Sequence, residues 1–356
     1  MKTYTVAMIG CGKANETNPG KVSGGFRIGY YHAKAYAANP RTKLVAAVDI
    51  NKENLAAFQK EFNVPRGFAD YRQMLKEVSP DVVSICTFVG LHREMIEVSA
   101  KAGVKGILCE KPFVNSPADL VAVKNIAEET GVKLCICHQR RTQAVFDRAR
   151  QIYNDGTVGA PVLCLAGIQD WDLSEWGSHW LDMFRFFHND QPVQWVMGQA
   201  RVRGERGFGH AMEQHAVATF QFTDGSMGML DGGHGFTKPD MLVLLGTQGT
   251  IRLPNEEKLV IDTAKGRVEE DLTGHSRGNG WQNMVDDLVA WLDGGDIPQL
   301  GLPRTYGSAE LNLATYVSVA RGDRVDLPLD EEALKLNEWP LEPVARRNAA
   351  KASLPK

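Results

Sequence analysis

The alternation of apolar strand-like segments with helical stretches in the first 140 residues constrains the fold of this chain most. A helical stretch, such as NKENLAAFQKEF, separates consecutive segments rich in β-forming residues. In chain order these segments are TYTVAMIG, KLVAAVDI, DVVSICTF, KGILCE and KLCICHQ. Strands that alternate with helices predict a doubly wound parallel sheet with helices on both faces.

The pattern changes after about residue 140. Longer strands appear, including AVATFQFTDGSMGMLDGG, which reverses at Asp224-Gly225. Two amphipathic helices follow, WQNMVDDLVAWL and SAELNLATYVSVARG. We therefore predict a Rossmann-type domain at residues 1–138 and, at residues 139–356, an α+β domain with a large, mostly antiparallel open sheet.

Bulk composition argues against several classes of partner. The chain has 40 basic and 43 acidic residues and a net charge of -3, so no nucleic acid or membrane surface is expected to bind. The N-terminus enters a strand directly, without an apolar signal segment, and a cytoplasmic location is expected. The six cysteines form no CxxC pair and are expected to be buried free thiols in a reducing compartment.

The first strand is followed by glycines in an enlarged dinucleotide-binding pattern. Gly10 and Gly12 follow the strand, and Ile28-Gly29 opens the next helix, where the pyrophosphate of a dinucleotide would rest. Asp49 comes twenty residues after Gly29, the interval at which an acidic residue holds the adenosine ribose. Strand, turn, helix and acid have the expected spacing once an insertion at about residues 13–27 is set aside.

The residue type at position 49 favours NAD over NADP. A carboxylate there accepts hydrogen bonds from both ribose hydroxyls and would repel a 2′-phosphate, whereas the nearby Lys52 leaves NADP as the weaker alternative. The insertion has two interpretations: a surface loop, or a flap over the pyrophosphate or the substrate.

Several segments resemble, in order and spacing, the glucose-fructose oxidoreductase / inositol dehydrogenase / MocA family. They include HAKAYAANP, LVAAVDIN, DVVSICTFVGLHREM, ILCEKPF and GSHWLDMFRFF. The resemblance implies an oxidoreductase with NAD(P) at the strand ends of the first domain and the substrate beside the open sheet of the second. It also implies a homodimer or homotetramer assembled through that sheet.

The segment ILCEKPF places a lysine at the end of a strand. Lys111 would emerge at the carboxyl edge of the sheet, where ligands bind in such folds. There it can hydrogen-bond a reacting hydroxyl and stabilise the alkoxide as hydride leaves. Alone, such a lysine is more often a surface charge, and within this motif the resemblance implies a catalytic and substrate-binding role. Thr87, His92 and Glu110 are further predicted cofactor contacts, although His92 also fits a purely structural role.

The segment DWDLSEWGSHWLDMFRFF contains the predicted base. A helix from about Ser174 would place Glu175 and His179 on one face. Histidine is suited to take a hydroxyl proton near neutral pH, and a carboxylate one turn away can orient its ring. The family usually has Asp four residues before this histidine, where this chain has Glu175. Asp172 is therefore a second candidate for that carboxylate.

Two further residues are candidate substrate contacts. Trp176 could stack on a sugar ring or belong to the core, and Arg141 could hold a substrate hydroxyl or carboxylate. Asp182 is expected to support the helix, pairing with Arg185. No metal site is expected, because the spacing of one further group fits no compact ligand motif: His210, Glu213, His215 and His234.

These features together predict an NAD-dependent dehydrogenase. It would reversibly oxidise a secondary hydroxyl of a sugar, glycoside or cyclic polyol to a ketone. One alternative is a glycosidase that retains NAD and oxidises its sugar transiently, as some family relatives do. A less favoured alternative is a non-catalytic regulator that senses NAD(P).

Overall fold

A computed structural model describes residues 2–12, 27–169, 172–207, 210–233, 241–275, 277, 279–330 and 334–339. Nearly all of the insertion at 13–27 lies outside these ranges. The chain divides into two compact units. The first consists mainly of Met1–Gln139 and Gly278–Arg304, and the second of Arg140–Arg206, His210–Arg277 and Thr305–Lys356. The sequence had assigned residues 278–304 to the second domain.

The first unit contains a six-stranded parallel sheet in the order β3-β2-β1-β4-β5-β6. This is the strand order of a dinucleotide-binding fold, whose ligands bind at the carboxyl ends of the strands where the order reverses, here between β1 and β4. The strands are β1 Tyr4–Ile9, β2 Thr42–Val48, β3 Arg66–Phe68, β4 Val82–Ile85, β5 Gly106–Cys109 and β6 Lys133–Ile136.

Helices follow the strands of this sheet, as the alternation in the sequence predicted. They are α1 Ile28–Ala38, α2 Lys52–Phe62, α3 Tyr71–Val78, α4 Val89–Lys101 and α5 Pro117–Thr130. Local capping accounts for several of their starts: Asn51 caps α2 by accepting hydrogen bonds from Glu53 N–H and Asn54 N–H, and Ser116 caps α5. The later helix α8, Gly280–Leu292, contributes Met284, Val285 and Leu288 to the core of this unit.

The second unit is built on a nine-stranded sheet in the order β14-β13-β12-β11-β7-β10-β9-β8-β15. Its pairs are mostly antiparallel, and β7 pairs with β10 in parallel. The strands are β7 Pro161–Gln169, β8 Val193–Gly207, β9 His210–Phe222, β10 Met227–Gly233, β11 Leu242–Gly246, β12 Gly249–Leu253, β13 Lys258–Thr263, β14 Gly266–Asp271 and β15 Val325–Asp326.

Three helices accompany this sheet: α6 Ala144–Asn154, α7 Ser178–Phe187 and α9 Leu302–Arg321, which belongs to this unit from Thr305 onward. The predicted fold class, a Rossmann-type parallel sheet plus a large, mostly antiparallel sheet, is confirmed. All six cysteines are free, as expected. In the described part of the chain, no helix has both the length and the apolar character needed to cross a membrane.

Candidate active site

Backbone geometry favours glycine at two positions in the turn after β1 and at one position at the start of α1. Gly10 and Gly12 have φ angles of +88° and +73°, a region that residues with a Cβ rarely adopt. A Cβ on Gly10 would lie 2.6 Å from the carbonyl oxygen of Cys86, and one on Gly29 would lie 2.7 Å from that of Gly10. The turn and the start of α1 therefore form the close-packed cradle that a dinucleotide pyrophosphate requires.

Asp49, directly after β2, is tied to this glycine turn. Its Oδ2 accepts hydrogen bonds from Cys11 N–H (3.0 Å) and Gly12 N–H (3.2 Å), and its Oδ1 accepts one from Asn51 N–H (2.8 Å). A carboxylate offers about four lone-pair positions, so Asp49 retains about one that can accept from a ribose hydroxyl. The residues present fit an NAD molecule at this edge of the sheet.

The predicted catalytic lysine lies in a short segment after β5 that we call the lysine loop, Glu110–Phe113. Lys111 is half-buried, and the Lys111–Pro112 peptide bond is cis. Glu110 is buried, and its Oε2 accepts a hydrogen bond from Lys111 N–H (3.1 Å). Because β5 is parallel to its neighbours, the loop leaves the sheet at the carboxyl edge, as predicted.

Two fully buried histidines contact the lysine loop from different helices. His32, on α1, has Nε2 2.9 Å from Glu110 Oε1. His92, on α4, has Nδ1 3.0 Å from the carbonyl oxygen of Phe113 and Nε2 2.9 Å from that of Thr87. These contacts favour a structural role for His92, the alternative to its predicted cofactor contact. His32 was not among the residues predicted from the sequence. Its only indication there was a histidine on the face of α1 that is buried.

The first residue of the lysine loop, Glu110, belongs to a group of side chains that could hold a metal ion. Ligand atoms of His32, Glu110 and Cys137 all lie within 4.8 Å of one another. Burial, and then the charge of Glu110, raises the pKa of Cys137 well above its usual value, so its thiol stays protonated at neutral pH. A metal ion that bound there would have to displace this proton.

The group of histidines first considered for a metal has other contacts where it is described. His215 Nε2 lies 2.9 Å from Asp231 Oδ1, and Glu213 Oε2 accepts a hydrogen bond from Leu173 N–H. His234 and the side chain of His210 lie outside the described residues.

The segment before the predicted base is not a regular α-helix. Leu173–Gly177 form a turn of π-helix, which we call the wide turn, and Gly177 N–H reaches the carbonyl of Asp172 five residues back (3.1 Å). Helix α7 begins only at Ser178 and carries His179 in its first turn. The helix predicted from about Ser174 is therefore present, but it begins with a π turn and not with α-helix.

Buried carboxylates hold the start of the wide turn. Asp172 caps it, since its Oδ1 accepts a hydrogen bond from Glu175 N–H (2.8 Å), and Glu213 on β9 accepts from Leu173 N–H (3.0 Å). Burial, with the charges of Glu213 and Asp172, raises the pKa of Tyr316 well above its usual value. The hydrogen bond that Asp172 accepts from Glu175 N–H gives Asp172 a capping function that its position in the sequence did not reveal.

His179 and Glu175 lie in a mostly enclosed environment, 5% and 7% exposed. The Trp176 ring lies edge-on to the imidazole of His179, with centroids 6.0 Å apart. The guanidinium of Arg140 lies over Trp176 (5.4 Å) and over Trp180 (5.0 Å). Trp176 thus already packs against protein groups, while remaining half-buried rather than enclosed.

Arg141, a predicted substrate contact, is fully buried among carboxylates. Its Nε donates to Asp182 on α7 (2.8 and 2.9 Å to the two oxygens), and its Nη1 lies 2.8 Å from Asp190 Oδ1. Burial lowers the pKa of Arg141, but the charges of Asp182 and Asp190 outweigh that effect and raise it. This arrangement favours a structural role for Arg141, which anchors α7. It also gives Asp182 a partner other than Arg185, which the sequence had suggested.

Two family models match this chain. The model described as the oxidoreductase family with an NAD-binding Rossmann fold matches residues 4–138, and that of the GFO/IDH/MocA C-terminal domain matches residues 146–252. Together they cover roughly two thirds of the chain.

Individual proteins show the same similarity. D-apiose dehydrogenase from Paraburkholderia graminis is 26% identical over 94% of this chain and 92% of its own length. Inositol 2-dehydrogenase from Rhizobium meliloti is 26% identical over 68% of this chain and 77% of its own. An Agrobacterium radiobacter oxidoreductase, crystallised with NAD+, L-tartaric acid and magnesium, has a TM-score of 0.75 at 21% identity, covering 91% of this chain and 98% of its own.

Proposed function

Because the chain belongs to the GFO/IDH/MocA family of NAD-binding oxidoreductases, we propose that it oxidises a secondary hydroxyl of a sugar, glycoside or cyclic polyol to a ketone. The names of the relatives, D-apiose dehydrogenase and inositol 2-dehydrogenase, support this substrate class. The observation that carries the proposal is the position of Lys111 at the carboxyl edge of the parallel sheet, where such folds bind the cofactor.

In this proposal the first unit holds the cofactor. Gly10, Gly12 and Ile28-Gly29 leave room for the pyrophosphate, and Asp49 accepts hydrogen bonds from the adenosine ribose. Thr87 and Glu110 border the same edge of the sheet. Bound NAD would supply the hydride acceptor.

Lys111 would donate a hydrogen bond to the reacting hydroxyl oxygen and stabilise the negative charge that develops there. We assign the removal of the hydroxyl proton to His179, and the orientation of its ring to Glu175. Asp172 is the alternative for that orienting role, but its cap on the wide turn supports a structural one. Trp176, half-buried beside His179, is the proposed sugar-facing aromatic residue.

Assembly and location are further parts of the proposal. A homodimer or homotetramer assembled through the nine-stranded sheet is proposed from the family to which the chain belongs. Six free cysteines favour the cytoplasm as the location.

The first experiment measures NAD reduction across a panel of sugars, glycosides and inositols, followed by Lys111→Met with the best substrate. We expect kcat to fall by about 10²–10⁴-fold, because Lys111 acts on the transition state, while NAD affinity stays unchanged. Lys124→Met is the matched control, since that lysine is exposed on α5 and pairs with Glu128.

Wild-type turnover in Lys111→Met would remove Lys111 from the mechanism. A chromogenic glycoside tests the glycosidase alternative in the same assay. Aglycone release without net NADH would favour the hydrolase, and stoichiometric NADH favours the dehydrogenase.

A further inference from the structure

One buried imidazole links three elements around the predicted cofactor edge. His32 lies on α1, three residues after Gly29, and its side chain is fully buried. Its Nδ1 is 2.7 Å from Ser84 Oγ on β4, and its Nε2 is 2.9 Å from Glu110 Oε1 after β5. A single ring therefore joins the helix of the glycine turn to the switch-point strand and to the lysine loop.

We propose that His32 is a positioning residue for Lys111, acting through the carboxyl group of Glu110. This inference rests on the proposed function, since it matters for turnover only if Lys111 takes part in the reaction. His32 fixes the lysine loop relative to α1 and the glycine turn, and hence relative to a cofactor held there.

The path from His32 to Lys111 consists of two hydrogen bonds. Glu110 Oε2 accepts from Lys111 N–H (3.1 Å), so the carboxyl group holds the backbone of the reacting residue. The arrangement is complete when His32 Nε2 donates to Oε1 and Nδ1 accepts the hydroxyl hydrogen of Ser84. Because a carboxylate only accepts hydrogen bonds, Glu110 requires the proton on His32 Nε2. Ser84, whose hydroxyl can donate or accept, then donates to Nδ1.

Packing keeps the His32 ring in this orientation. Trp281 on α8 packs against it, with ring centroids 5.4 Å apart, and also stacks on Tyr31. Because Trp281 and α8 belong to the same unit as α1, a change at His32 is transmitted to the lysine loop rather than absorbed by free rotation.

A cation held by His32, Glu110 and Cys137 is the competing explanation of the same cluster. Two observations favour direct hydrogen bonding. His32 Nε2 and Glu110 Oε1 already lie at hydrogen-bond distance. Among the residues that the structure describes, the group offers three protein ligands, whereas a structural zinc site takes four.

The test compares two substitutions at position 32 in the full-length enzyme. In His32→Asn the shorter amide can still reach Ser84 but not Glu110, whereas the longer amide of His32→Gln can donate to Glu110. We expect His32→Asn to lower kcat by about 10–100-fold, because a small displacement of a catalytic group has effects of that size. NAD affinity, measured by titration calorimetry, should stay unchanged, and His32→Gln should recover most of the lost kcat.

Several outcomes would overturn the inference. Wild-type kcat in His32→Asn while Lys111→Met is inactive would remove the positioning role and leave the proposed function intact. Wild-type kcat in Lys111→Met would instead remove the proposed function itself. If His32→Asn loses kcat, NAD affinity and thermal stability together, and His32→Gln recovers none of them, then His32 has only a structural role.

A second variant keeps the test decisive if His32→Asn does not fold. Ser84→Ala retains both His32 and Glu110 and removes the hydrogen bond to His32 Nδ1, so a smaller fall in kcat with unchanged NAD affinity is expected. An unchanged kcat in Ser84→Ala would show that the hydrogen bond from Ser84 does not contribute to the positioning of Lys111. Stoichiometric zinc in the purified wild-type enzyme, measured by mass spectrometry and absent from His32→Gln, would replace the inference with a metal site.

Discussion

The lysine loop of the first unit and the α7 segment of the second unit are held in place by different chemistry. Imidazole rings hold the lysine loop: His32 through Glu110, and His92 through a backbone carbonyl. Charged groups hold the other segment, where Asp172 caps the wide turn and Arg141 pairs with Asp182 on α7.

The two segments should therefore respond differently when a side chain that holds them is replaced. A buried ring that hydrogen-bonds can be replaced by an amide of similar reach, so the expected damage is a displaced loop and slower turnover. Removal of a buried guanidinium leaves carboxylates without their counter-charge, which is costly in a low-dielectric interior. We therefore expect defects at the lysine loop to appear in kcat and defects at Arg141 to appear in folding.

The largest expected effect on stability is that of Arg141→Met. Asp182 is fully buried and would lose its cationic partner, so the free energy of unfolding should fall by about 3–5 kcal/mol. Urea unfolding monitored by tryptophan fluorescence measures the change. Arg148→Met is the control, because its pair with Glu270 is partly exposed and should contribute at most about 1 kcal/mol. Similar losses in both variants would mean that the buried pair does not anchor α7.

A pair of isosteric substitutions separates the cap from the catalytic carboxylate. Asn caps helices about as well as Asp, so Asp172→Asn should preserve both stability and kcat, whereas Asp172→Ala should cost about 0.5–2 kcal/mol. Glu175→Gln should lower kcat by about tenfold or more if Glu175 orients His179. Steady-state kinetics and thermal unfolding of the three variants measure these effects. If only Asp172→Asn loses turnover, Asp172 is the orienting carboxylate and Glu175 is not.

The smallest expected effect concerns a carboxylate at the opposite edge of the first unit's sheet. Burial raises the pKa of Asp81, but hydrogen bonds from Lys105 Nζ (2.6 Å) and Thr5 N–H (3.0 Å) outweigh it and lower the pKa from 3.8 to about 2. The folded-state pKa lies below the unfolded one. The stabilisation is therefore complete above pH 3.8 and is lost as the pH falls through about 2.

Asp81→Asn should accordingly reduce the free energy of unfolding by about 1 kcal/mol at neutral pH, once solvent screening is allowed for. The difference from the wild type should shrink as unfolding is measured at pH 4, 3 and 2. A difference that stays constant with pH would show that hydrogen bonding, not the charge of Asp81, links this part of the sheet. Asp81 would then provide no acid-dependent contrast between the two units.

Helix α8 shows what the periodicity of apolar residues can predict and what it cannot. The spacing of its apolar residues predicted an amphipathic helix, and residues 280–292 are helical. Periodicity states that one face must be buried, but not against which partner. Position in the chain suggested the second domain, whereas Met284 and Leu288 lie in the core of the first.

Asp172 and Arg141 show the same limit for polar residues. Their residue types suit either chemistry or structure, and only their partners distinguish the two. Asp172 caps a π turn, a geometry that the residues of this segment did not predict. Arg141 turned out to face Asp182, 41 residues away in the chain.

The sequence by itself determined the parallel half of the fold, the glycine turn, and Lys111 at a strand end. These depend on local conformational preference and on spacing along a few tens of residues, both of which can be read in one dimension. The contacts that hold Lys111 could not be predicted from the sequence. His32 and Glu110 are 78 residues apart and come together only when α1 packs on the sheet. A buried hydrogen bond acts over about 3 Å, so its partners are set by the packing of the folded chain and not by the order of its residues.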